Sequence, residues 1–222
     1  LVTDPWNLWN EESGMYAGNY KDSKRPEPAY ADLPYWQKNL YGGSFEFFET
    51  DGTRVCVAGV EMGLHGQYSL DIPQKSFRVT AKARYGSSSL DYAFFEDRPY
   101  DSYQSLVIRN GGNDGKYTRI VDGLQSKIVD WMEDTTVYHM PWRPVIVYLN
   151  GEYWGHYNIR ERVNVHSLAR HEGWDDPDNV DLIKGNDDVL NGSYDNYGEL
   201  LSYVKKHDLN DPEALKTVLD WI

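Results

Sequence analysis

Residues 143–163 read RPVIVYLNGEYWGHYNIRERV. An apolar run, 145–149, meets Asn150-Gly151, and a second, aromatic run continues through Ile159. Asn-Gly between two such runs specifies a tight hairpin, because a type I′ turn needs φ > 0 at both central residues. With a two-residue turn the register follows: Leu149 faces Glu152, Tyr148 faces Tyr153 and Val147 faces Trp154. The second strand leaves through a charged exit, Arg160-Glu161-Arg162, where a binding cleft could begin.

Composition narrows what can surround this hairpin. At 222 residues, 40% of them hydrophobic, the chain holds one large domain or two small ones around a real core. No stretch approaches the roughly 18 consecutive apolar residues of a membrane span. With 18 Tyr and 8 Trp, much of the buried surface is expected to be aromatic. A formal charge of −13 argues against nucleic acid and anionic lipid, and favours a cationic or neutral partner, or simply solubility. The single cysteine, Cys56, forbids an internal disulfide and reads as a buried strand thiol. No signal peptide is visible, there is no initiator Met, and the last residues read as helix, so both ends look cut from something longer.

Residues 1–42 lack periodicity and read as an irregular aromatic arm pinned by Trp6, Trp9 and Trp36. Strands follow at 44–48 and 54–60 around Asp51-Gly52, then at 74–81 and 105–109. Ile120, Leu124, Ile128 and Trp131 repeat at helical spacing and predict a helix over 118–132. After the hairpin come a short helix over 165–171 closed by Gly173, an acidic loop at 175–188 around a strand at 180–183, and helices over 194–207 and 211–222. Strands dominate 43–163 and helices dominate 164–222.

Among candidate site residues Lys75 is the sharpest. It opens a strand after the glycine-containing turn 63–69, where a lysine can hold phosphate oxygens as a mobile point charge; the bland alternative is a solvated strand lysine. No Walker loop accompanies it. His166 and His171 are five apart and no H-E-x-x-H exists, so a zinc site is not expected. The acidic loop lacks the glycine and the terminal Glu of a calcium loop, and G-x-S-x-G is absent. Trp and Tyr could stack on sugars, but at strand positions core packing is their default role; spacing alone thus gives a soluble α+β chain with one interesting lysine.

An ordered set of segments resembles the CotH (spore coat protein H) kinase family of secreted atypical kinases. These are LHGQYS at 64–69, PQKSFR at 73–78, YG at 85–86, IRNGGND at 108–114, the near-identical 143–161, and DNVDLIKGN at 178–186. The resemblance implies an α+β, atypical protein-kinase-like fold: an antiparallel β-rich N-terminal lobe with one helix, then the first helices of a mostly helical lobe. It implies ATP with Mg²⁺ or Mn²⁺ as cofactors, a surface or coat protein as phosphate acceptor, and an extracellular, cell-surface or spore-coat location. In that layout Lys75 meets nucleotide phosphates, Asp122 is its acidic partner, His65 stands in the turn where relatives carry Arg, and Arg160-Glu161 form the hinge beside the base.

The family's Asn-x-Asp-Trp-x-x-Asn-Asn stretch, followed by Asp-x-Asp, does not occur in residues 1–222. Those motifs supply its catalytic and metal-binding carboxylates, so no catalytic or metal residue is assigned and these residues alone are expected to be inactive. The competing reading is an extracellular protein- or glycan-binding scaffold on a non-catalytic kinase-like fold.

Overall fold

A computed structural model describes residues 1–16, 39–66, 68–132, 137–185 and 187–221. Trp36, Gln67 and Asn186, invoked above, lie outside them. The chain divides into two compact units, 1–162 and 163–222.

The first unit is built on one seven-stranded antiparallel sheet. Its strands are β1 (Val2–Thr3), β2 (Tyr41–Phe48), β3 (Arg54–His65), β4 (Ser76–Ala81), β7 (Ser105–Arg109), β8 (Trp142–Leu149) and β9 (Glu152–Glu161). The spatial order is β1-β2-β3-β4-β7-β9-β8. A two-residue pair, β5 (Leu90–Asp91) with β6 (Ser102–Tyr103), lies outside it. The first residues are therefore not an irregular arm. Val2 and Thr3 pair with Ser44 and Gly43, and Asp4 caps a short helix α1 (Pro5–Trp9).

Strand alternation gives the sheet two chemically different faces. On one, Val60 opposes Ala81, Met62 opposes Val79, Leu64 opposes Phe77, and Phe77 and Val79 continue to Ile108 and Leu106. All of these are buried, as is Ile159 beyond them. Phe94, Phe95 and Tyr103 pack over this face; Phe94 meets Phe47 edge-on at 5.2 Å and Tyr103 at 5.6 Å. Such T-shaped contacts match ring quadrupoles as well as burying area. The other face carries His65, Arg78, Arg109, Asn158 and Arg160 and is covered in part by helix α2 (Val121–Asp130).

The hairpin turn forms as its sequence requires, with Asn150 at φ 51° and Gly151 at φ 85°. Leu149 faces Glu152 and Tyr148 faces Tyr153, but Val147 faces Gly155. Trp154 is the extra residue of a bulge, and it turns inward against the core, with its indole N–H donating to Tyr16 at 3.0 Å. A hairpin sequence sets the turn but cannot show that a large aromatic gains more from the core than from the regular ladder.

Helix α2 is shorter than 118–132. Arg119 has φ 63°, and the Asp114 carboxylate holds the Thr118 and Val121 amides ahead of the first turn. Its apolar stripe of Ile120, Leu124, Ile128 and Trp131 is exposed. The polar side of the helix is the one turned to the sheet, because the sheet face beneath it is lined with arginine.

The second unit contains helix α3 (Val165–Glu172), the hairpin β10 (Leu182–Lys184) with β11 (Asp188–Asn191), and helices α4 (Asp195–Lys206) and α5 (Pro212–Leu219). Asn164 and Ser167 form a capping box at the start of α3, and Gly173 ends it at φ 73°. Asp181 ties the hairpin to α4, accepting from the Ser193 amide at 2.7 Å and the Asn196 side chain at 3.2 Å. The strand expected at 180–183 is β10, shifted to Leu182–Lys184, and it pairs with β11, which begins at Asp188 where the acidic loop was expected to end. No described helix is long and apolar enough to cross a membrane.

Candidate functional site: an arginine-lined sheet face

Four arginines share the polar face of the sheet. Arg78 on β4 pairs in register with Val107 on β7, and Val107 pairs with Arg160 on β9. Arg109 lies two residues along β7, and Arg162 follows Arg160 by two, its amide reaching the Ser105 carbonyl at 3.4 Å. Period-two alternation brings these side chains to one side without any helix or loop to gather them.

One carboxylate answers two of them. Asp122, in the first turn of α2, accepts from Arg160 Nη1 at 2.6 Å and from Arg109 Nε, with Arg109 Nη2 at 3.4 Å. Arg160 is 2% exposed; its Nη2 also donates to Ser126 Oγ and to the Met140 carbonyl at 3.0 Å. Burial pulls its guanidinium below the ordinary value, and Asp122 opposes that shift. An acid in the first turn also suits the positive end of the helix. The pair therefore clamps α2 to the sheet.

Arg78 and Arg162 have no ion-pair partner among the described residues. Burial lowers the Arg78 guanidinium, with Glu61 opposing, and lowers that of Arg162, with Arg78 lowering it further. Two guanidiniums that repel each other, half-buried on a face whose carboxylates Asp122 and Glu61 are bonded to other arginines, hold a local positive field on a chain of net charge −13. That field attracts anions, and each guanidinium offers the planar fork that matches phosphate oxygens.

The residues singled out from sequence do not converge. His65 ends β3 on the polar face opposite Ser76. Lys75 immediately precedes β4, and alternation sends it to the core face with Phe77. It is 8% exposed, donates to the Leu70 carbonyl, and lies 5.7 Å from the centre of the Tyr16 ring. Asp122 is accordingly bound to Arg109 and Arg160, not to Lys75, which points to the opposite side of the sheet. Nor is Lys75 an exposed, mobile charge.

Arg160 and Glu161 are likewise split. Glu161, 1% exposed, is in register with Leu106 on the core face and accepts from Tyr100 at 2.9 Å and Tyr138 at 3.2 Å. Burial, and then the Glu161 carboxylate, hold the Tyr100 phenol far above its usual range. The candidate residues not singled out from sequence are Arg78 and Arg109, while Arg162 enters there only as part of the charged strand exit. Arg78 and Arg109 stand in the motifs PQKSFR and IRNGGND, and their parity with Arg160 across three strands was the available signal.

Asp97, Asp130 and His139 come within reach of a common point. Lys127 and Arg98 already occupy them: Lys127 pairs with Asp130, and Arg98 Nη2 lies 3.1 Å from His139 Nε2 and donates to the His139 carbonyl at 2.9 Å. The two cations neutralise this group, which does not fit a divalent ion.

A search of curated proteins found no match to the chain. Residues 63–222 match the family model described as CotH kinase protein. That stretch includes the arginine row, α2, the hairpin and the whole second unit. The chain belongs to the CotH kinase protein family.

Proposed function

We propose that the arginine-lined face is the phosphate-binding half of an ATP-dependent phosphotransferase, acting with Mg²⁺ or Mn²⁺ on a surface or coat protein. The observation that carries this reading is the pair Arg78 and Arg162, charged, half-buried and without a carboxylate partner among the described residues. Phosphoryl transfer depends on positioning and on neutralising charge that spreads over phosphate oxygens, so an unpaired guanidinium pair is the chemistry such a site needs.

The ion pair between Arg109 and Asp122 adds support. In protein kinases a basic residue on a sheet strand pairs with an acid on the following helix, and that pair sets the helix position. Here β7 is followed by α2, and the strand base is Arg109 rather than Lys75. Family membership makes a kinase-like lobe the natural setting for this pair. A divalent ion would screen the β- and γ-phosphates; the described residues do not include a donor set that fits it.

The test is calorimetric titration of the chain with ATP and MgCl₂. Saturable binding is expected in wild type, weakened at least about tenfold in Arg78→Ala/Arg162→Ala, since each charge-assisted bond is worth about 1.5–3 kcal/mol. Lys75→Ala is expected to change thermal stability more than affinity. Absence of saturable binding, or unchanged affinity in the double variant, would contradict the proposal and favour a non-catalytic binding module.

A further inference from the structure

The residues that lead into β8 are held at three consecutive positions. Tyr138 donates its hydroxyl to Glu161 on β9 at 3.2 Å. The His139 carbonyl accepts from Arg98 Nη2 at 2.9 Å, and the Met140 carbonyl accepts from Arg160 Nη2 at 3.0 Å. Arg98 belongs to the connection between β5 and β6, and Arg160 to β9. Residues 138–140 lie in no helix or strand, so these side-chain bonds set where the segment runs.

The middle position carries an imidazole between charges of opposite sign. His139 Nε2 lies 3.1 Å from Arg98 Nη2 and 3.5 Å from Asp130 Oδ1. A guanidinium only donates, so Nε2 accepts from Arg98, and the proton of the neutral ring sits on Nδ1. A carboxylate only accepts, so in this state Nε2 offers Asp130 nothing. A proton on Nε2 reverses both relations. The imidazolium repels Arg98 and donates to Asp130, which already lies just beyond hydrogen-bond distance. The ring can serve Arg98 or Asp130, and one proton decides which.

The charged groups around the ring are evenly matched. Lys127 and Asp130 come from α2, and Asp97 and Arg98 from the β5–β6 connection. The Arg98 side chain is 6% exposed and its Nε already has no hydrogen-bond partner, so loss of the imidazole acceptor is not made good by water. A positive ring beside Asp130 also suits the negative end of α2. The next group along is Arg160: the Nη2 that holds Met140 also holds Ser126, and its Nη1 holds Asp122. None of these contacts depends on a nucleotide.

We propose that His139 is a proton-operated catch on the segment between α2 and β8. Neutral, it keeps Arg98 and holds residues 138–140 in place. Protonated, it leaves Arg98 for Asp130 at the end of α2, and the displaced segment disturbs the Met140–Arg160 bond and with it the clamp of Arg160 on α2.

The test is ¹H–¹⁵N NMR of the imidazole ring and the arginine Nε groups, on the nucleotide-free chain between about pH 5 and 8. The neutral ring should carry its proton on Nδ1, and the Arg98 and Arg160 Nε signals should shift with the His139 midpoint. His139→Gln keeps an oxygen that can accept from Arg98 but takes up no proton, and it should abolish the pH-dependent shift at Arg160. Asp130→Asn removes the acceptor of the charged ring and should lower the His139 midpoint by about half a pH value or more; it is read on the same ring should His139→Gln not fold. A neutral ring protonated on Nε2, or a His139 that does not titrate in this range, would overturn the proposal. So would an Arg160 signal that does not follow His139, an unchanged response in His139→Gln, or a midpoint unmoved by Asp130→Asn.

Discussion

Arg160 and Glu161 are consecutive, both almost wholly buried, and face opposite sides of the same strand. Arg160 reaches Asp122 and Ser126 on α2, whereas Glu161 takes hydroxyls from Tyr100 and Tyr138 over the core. What reads in the sequence as one charged strand exit is two separate polar anchors. Each is buried deeply enough for removal of its partner to be costly.

Asp122→Asn tests the first anchor. The substitution leaves Arg160 buried beside a neutral amide and removes the charge shared with Arg109. Breaking a buried pair costs about 3–5 kcal/mol, and because Asp122 is 24% exposed a loss of about 2–4 kcal/mol is expected. Urea unfolding measures it. A loss below about 1 kcal/mol would mean that α2 is not clamped by this carboxylate.

Glu161 separates a hydrogen-bonding role from a charge role. Glu161→Gln keeps this acceptor for Tyr100 and Tyr138, whereas Glu161→Ala removes it from both phenols. The alanine variant should be the less stable, by about 1–3 kcal/mol, in the same unfolding measurement. Equal stability would remove the tyrosines from the account.

Gly123→Ala reverses the usual helix rule. Alanine is normally about 1 kcal/mol better than glycine inside a helix. Here the added Cβ would come 2.4 Å from the Trp142 ring, so α2 must lift from β8. Net destabilisation of about 1–3 kcal/mol is expected from overpacking, seen as a lower Tm. A raised Tm would show that the helix and Trp142 are not in contact.

The ion pair between Arg143 of β8 and Glu49 is acid-sensitive. Hydrogen bonds from Arg143, then from Tyr92, hold the Glu49 carboxyl below its ordinary value, 4.5. A depressed carboxylate stabilises the fold above its unfolded value, and that stability is lost as pH falls through the folded one. Below about pH 4.5 this link between β8 and Glu49 should therefore loosen, with faster exchange at β8 amides, while Glu49→Gln should show the faster exchange already at pH 7. A variant with the same pH profile as wild type would contradict this.

Much of the fold is legible in local chemistry. Asn150-Gly151 fixed its turn, Ser105–Arg109 is a strand with the expected limits, and Asp211 caps α5 by accepting from the Glu213 amide. What failed depended on the two faces of the sheet. Lys75 and Asp122 can be proposed as partners from motif order, yet they lie on opposite faces because Lys75 shares parity with Phe77. The stripe on α2 has the spacing of a core helix, but Arg109 and Arg160 beneath it attract its polar side. Trp154 left the ladder for the core, which no two-residue turn rule anticipates. Strand parity across β4, β7 and β9 becomes visible only when the pairing is known, and with it the arginine row.

The most direct measurement of that row is side-chain ¹H–¹⁵N NMR of the arginine Nε groups during titration with ATP and MgCl₂. Saturable shifts at Arg78 and Arg162, with Arg160 held unchanged on Asp122, are the predicted result. Shifts confined to other arginines, or none at saturating nucleotide, would contradict the assignment of this face to phosphate.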